Sequence, residues 1–147
     1  MCKTKKEDTA RRKKVCKYIK KYQKKFKLGN YKYTIRFVSG EKWIGYYAQV
    51  SISGNRVRLW INEDLMKLDP NETENTVVHE LLHVVLYKIT KKSTDIITQY
   101  VRKEKVRNKL ERKVEDLEHD IIDRLTPAFT SDGKKRYQSK NKHKGES

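Results

Sequence analysis

Apolar residues recur along this chain in different rhythms, and each rhythm implies a different element. Between about Thr9 and Lys27, Val15, Ile19, Tyr22 and Phe26 return at three- and four-residue steps, the spacing of one helix face. Leu28-Gly29-Asn30 is read as its stop. Tyr31 to Val38 alternates with period two and is rich in strand formers, as a half-buried strand is. After a turn at Ser39-Gly40-Glu41-Lys42, Ile44–Ser53 and Arg56–Asn62 read as two more strands, joined in a tight hairpin at Gly54-Asn55. Trp43 and Trp60 flank these strands and are expected to pack rather than bind ligand. Three short strands after one helix suggest a small antiparallel sheet.

Asp69-Pro70-Asn71-Glu72 has the residues of a helix start, with Asp69 as cap and Glu72 at the reciprocal position. The helix it opens is expected to run to about Ile89, where Lys91-Lys92-Ser93 breaks it. A second long helix is expected from roughly Thr94 to Leu125, closed by Thr126-Pro127, with a core stripe through Leu110, Val114, Leu117 and Ile121. The class is therefore α+β. After Phe129 the chain is rich in Lys, Ser and Gly with almost nothing to bury, the composition of a disordered segment. The expected organisation is a basic arm over residues 1–8, one domain over 9–129 and a basic tail over 130–147.

Chemistry is concentrated in the first of the two long helices. Thr76-Val77-Val78-His79-Glu80-Leu81-Leu82-His83-Val84-Val85-Leu86 contains a His-Glu-x-x-His motif. Residues four apart on a helix share a face one turn apart, so His79 and His83 can both reach one Zn²⁺ at about 2.0–2.1 Å. Glu80 can reach a water on that metal and act as its general base. The flanks are apolar nearly all round, so the helix should be buried, and buried imidazoles and carboxylates need partners. Zinc explains all three residues.

Composition narrows the rest. The chain has 147 residues, 35% apolar and 37% charged, one modest domain by length. It shows no apolar run of membrane-span length and no signal-peptide pattern. Cys2 and Cys16 form no disulfide framework, and Cys16 should pack on an apolar helix face. A cytoplasmic location fits. The net charge of +17 is uneven: residues 1–27 hold 13 Lys/Arg against Glu7 and Asp8, and residues 130–147 hold 6 against Asp132 and Glu146. Such basic ends attract nucleic acid non-specifically, although lysine-rich solubility gives the same pattern.

Catalytic zinc takes three protein ligands and leaves a position open. A third histidine close behind His83 is missing, since Ile89 occupies the position a metzincin would use. The remaining histidines are His119 and, in the tail, His143. The second long helix offers Glu104, Glu111, Glu115, Glu118 and His119. Measured from Leu110 at about 100° per residue, Glu118 lies about 80° round, Glu111 about 100°, Glu115 about 140° and His119 about 180°. Phase favours Glu118 and Glu111 without separating them, and sets His119 on the far side.

His79-Glu-Leu-Leu-His83, followed after a long gap by Glu118-His-Asp-Ile-Ile-Asp-Arg-Leu125, resembles the small zinc metallopeptidases of phages and mobile elements. The resemblance spans roughly Lys32 to Leu125, and its core is similar to that of the gluzincin-like ImmA/IrrE peptidases. It implies a minimal zincin-like fold, with His79 and His83 as ligands, Glu80 as base and Glu118 as third ligand. SprT-like proteases use a histidine third ligand, which here would be His119. The resemblance implies a zinc-dependent peptidase acting on a protein or peptide. Strand addition at an edge strand, expected to be Ile44–Ser53, is the route by which an extended substrate would be aligned. Tyr46, Tyr47 and Tyr87 are candidate oxyanion stabilisers by chemistry alone. The rival expectation is a zinc-stabilised basic nucleic-acid-binding protein without proteolytic activity. Against it, structural zinc sites usually fill four positions with Cys and His, and neither cysteine is near the motif.

Overall fold

The computed structural model describes residues 5–39, 47–68 and 70–131. Trp43, Ile44, Tyr46, Asp69, Cys2 and the expected tail from Asp132, with His143, lie outside these residues. The class is α+β: helix α1 (Lys5–Lys25), strands β1 (Lys32–Val38), β2 (Ala48–Ser53) and β3 (Arg56–Asn62), helix α2 (Glu63–Leu68), a 3₁₀ turn at Pro70–Glu72, then helices α3 (Thr73–Tyr100) and α4 (Glu104–Phe129). Two compact units can be distinguished, residues 1–81 and 82–147, with the division falling inside α3.

In the first unit, α1 buries Val15, Ile19 and Tyr22, the stripe expected from sequence. The helix begins earlier than expected, so residues 5–8 of the anticipated arm belong to it. It ends on Lys27 at φ 55, with Leu28 N–H donating to Gln23 O and Lys27 N–H to Lys24 O. That is the Schellman pattern, built on a lysine rather than on Gly29. Val15 faces Phe37, Ile61 and Met66 around a small cavity, so α1 covers one face of the sheet. Tyr22 and α3 are tied by Glu74: its Oε1 accepts Tyr22 Oη–H at 2.6 Å and Lys21 Nζ–H at 3.0 Å. Burial, reinforced by this carboxylate, pushes the Tyr22 hydroxyl up to about 12.

The sheet order is β1-β3-β2, with β2 antiparallel and β1 parallel to β3. The expected all-antiparallel sheet is therefore corrected to a mixed one. All three strands alternate alike, and alternation carries no direction. The β2–β3 hairpin places β3 in the middle of the sheet, where it runs beside β1 in the same sense. Ser53 pairs with Arg56 across Gly54-Asn55. Gly54 at φ +59 supplies the positive φ that a II′ hairpin needs at its first central residue.

Alternation gives the sheet two unlike faces. Val57, Leu59 and Ile61 point inward and are buried. The outer face forms three rows across the strands: Lys32, Arg56 and Ser53; Thr34, Arg58 and Ser51; Arg36, Trp60 and Gln49. Eight of these residues are exposed, and Trp60 is half-buried.

The helix boundaries in the later half differ from expectation. α3 runs unbroken through Lys91-Lys92-Ser93, since lysine is a good helix former. Ser93 and Thr94 hydroxyls donate back to Ile89 O and Lys91 O, and Lys91 pairs with Asp95 one turn on. The break comes at Val101-Arg102-Lys103, where Lys103 is extended at φ −75, ψ 112. α4 also passes Pro127 and ends at Phe129, so the helix bears the loss of the Pro127 N–H bond two residues before its end. Thr126 Oγ1–H donates to Ile122 O, and Thr130 N–H to Thr126 O. Thr130, expected in the tail, is buried at this cap. No helix among the described residues is long and apolar enough to cross a membrane.

Glu74→Leu leaves the buried Tyr22 hydroxyl without its acceptor and should destabilise the protein by about 1–3 kcal/mol. Lys21→Met removes only the half-exposed partner and should change stability by less than about 1 kcal/mol. Urea unfolding of both variants checks this; equal losses would place the energy in the ion pair instead.

Candidate metal centre

The motif occupies the buried middle of α3. Thr76, Val77, Val78, Glu80, Leu81, Leu82 and Val84 are buried, while His79 and His83 are half-buried. The two histidines sit one turn apart on one continuous helix and so share a face. Glu80, at 8% exposure, is shielded from bulk water. His79 and Glu80 belong to the first compact unit, His83 to the second.

Within the second unit, α4 brings Glu118 to His83. Glu118 Oε1 lies 3.3 Å from His83 Nδ1, with side-chain exposures of 13% and 15%. The buried stripe of α4 is not the one expected. Leu110, Val114 and Glu118 are half-buried and Ile122 and Thr126 are buried, whereas Leu117 is 61% and Ile121 42% exposed. The inward face thus follows a strict four-residue step. Each such step advances about 40°, so the face has turned onto Glu118 and Ile122 by the middle of the helix. A carboxylate takes the inward position that hydrophobicity alone assigns to a leucine.

The other candidates separate accordingly. Glu111 accepts a hydrogen bond from Thr98 Oγ1 at 3.2 Å. Glu104 and Glu115 are exposed. His119 departs from its expected position on the far side: its ring stands edge-on to that of His83, centroids 5.0 Å apart at 71°. Once the inward face is centred on Glu118 and Ile122, His119 flanks it rather than opposing it. Its Nδ1 lies 2.9 Å from Glu115 O, and since a carbonyl only accepts, Nδ1 carries the hydrogen. Tyr47 and Tyr87 are half-buried.

Burial lowers the His83 pKa below its usual 6.5 and outweighs Glu118, which pulls it upward by hydrogen bonding and charge; His119 adds to the lowering, and Asp123 opposes it. A neutral imidazole beside a carboxylate is the donor chemistry a divalent zinc requires. Two ligands on one tetrahedral zinc with bonds of about 2.0–2.1 Å sit roughly 3.3–3.4 Å apart, which His83 Nδ1 and Glu118 Oε1 match. The same separation also suits Nδ1–H pointing at a carboxylate that orients the ring. Among the described residues, no three His, Cys, Asp or Glu side chains gather closely enough to hold a metal ion. The fit is therefore of donor types and of this one pair. No family model, curated protein or solved structure matches the chain.

In metal-free protein the depressed His83 pKa gives a definite pH dependence. The unfolded chain binds the proton more readily than the folded one, so stability is fully present above about 6.5 and declines as pH falls from there to the lower folded value. Thermal melts between about pH 7.5 and 5, run on wild type and His83→Gln with chelator present, should show a shallower acid decline in the variant. Identical slopes would mean that His83 does not titrate differently on folding.

Proposed function

We propose that the chain is a zinc-dependent peptidase in which His79, His83 and Glu118 hold the metal and Glu80 is the general base. The observation that carries this reading is the inward Glu118, placed by α4 at 3.3 Å from the second histidine of a His-Glu-x-x-His helix. A solvated helix carboxylate would not be expected on the stripe that buries Ile122. When bound, zinc supplies Lewis acidity and lowers the pKa of its water to about 7. Glu80 takes the proton of the attacking water and returns it to the leaving amine. β2 is an edge strand of the described sheet, and its outer N–H and C=O groups suit an extended peptide added as a further strand.

Purified protein should carry one Zn²⁺ and lose it in His79→Ala and His83→Ala, measured by elemental analysis. Glu118→Gln should weaken zinc affinity and recover part of its activity in excess zinc. Glu80→Gln should keep its zinc and its fold while peptide cleavage falls by roughly 10²–10⁴-fold. Glu111→Gln and Glu115→Gln should do neither. Loss of zinc from Glu111→Gln with retention in Glu118→Gln would move the third ligand two turns along α4. Undiminished cleavage by Glu80→Gln would end the peptidase reading.

A further inference from the structure

Among the described residues, the strand positions on the outer face of the sheet carry charge of one sign. Lys32 and Arg36 from β1 and Arg56 and Arg58 from β3 stand on it with the half-buried Trp60. The other four positions are Thr, Ser and Gln, and none of the chain's 19 acidic residues is among them. Lys32 lies directly opposite Arg56 in the register. Like charges opposite one another on neighbouring strands weaken a sheet, so this arrangement is not what fold stability favours. A face kept only for solubility would mix signs, as the exposed faces of α3 and α4 do with their Lys91–Asp95 and Arg124–Asp120 pairs.

We infer that this face binds single-stranded nucleic acid, with Lys32, Arg36, Arg56 and Arg58 on phosphates and Trp60 stacking on a base. Alternate residues of a strand are about 6.6–6.8 Å apart and neighbouring strands about 4.7–4.9 Å, so the cations form a flat lattice that a backbone can track. Aromatic rings on such a charged platform stack unpaired bases regardless of sequence, which a closed duplex does not offer. The Ser, Thr and Gln side chains supply neutral hydrogen bonds to phosphate and sugar. This surface is separate from the basic chain ends, and the inference does not depend on the peptidase reading.

The test uses the full chain and a fluorescein-labelled oligo-thymidine of about ten nucleotides, within the footprint of one small binding module, followed by anisotropy across a salt series. Arg56→Gln/Arg58→Gln should weaken binding at least tenfold and flatten the log–log salt slope by about 1.4, two phosphate contacts' worth on a single strand. Trp60→Leu should weaken it roughly five- to 150-fold, the range of one base stack, with the salt slope unchanged. Trp60→Phe should keep most of the affinity, which leaves the stacking claim testable if the leucine variant melts. Lys24→Gln/Lys25→Gln removes equal charge from exposed positions of α1 and should change affinity less than threefold. Any of four outcomes overturns the inference: no binding by wild type, equal loss from the α1 and sheet pairs, wild-type affinity in a folded Trp60→Leu, or equal affinity for a duplex or anionic phospholipid vesicles.

Discussion

An imidazole and a carboxylate held 3.3 Å apart, each about seven-eighths shielded from water, set the terms for the later half of the molecule. Neither group tolerates burial alone, because an unpartnered buried polar group costs about 1–3 kcal/mol and a charged one more. The phase of α4 follows from this. The helix turns Glu118 inward between Val114 and Ile122 and leaves Leu117 and Ile121 exposed. An acid takes a place on the inward stripe, and its partner there is the His83 imidazole.

The first compact unit solves a different problem. Its sheet has one apolar face, covered by α1, and one face of single-sign charge. Glu74 binds α1 to the first turn of α3 through the buried Tyr22 hydroxyl. The cations that crowd the outer face are spaced by strand geometry, whereas those of α1 are spaced by a helix.

Much of this was legible beforehand because the signals were local. The α1 stripe of Val15, Ile19 and Tyr22, the limits of β3, the Gly54-Asn55 turn and the single helix under His79 and His83 all follow from spacing and turn chemistry within a few residues. The boundaries that misled were also local, but their signals were weak. Lys91-Lys92-Ser93 stays helical because its polar groups find partners inside the helix, and α4 carries Pro127 within its last turn.

Three features needed the tertiary structure. Strand direction is invisible to alternation, so that β1 and β3 run parallel depended on which strands pair. The inward face of α4 depended on what it packs against, which is why Glu118 was ranked beside Glu111 by phase and the ring contact of the exposed His119 with His83 was not foreseen. The one-signed outer face arises only when β3 lies between β1 and β2 and sets Lys32 beside Arg56. The sequence by itself determined the elements and the motif, since those rest on contacts a few residues apart. Which side chains meet across elements was decided by packing, where separation along the chain no longer limits what can touch.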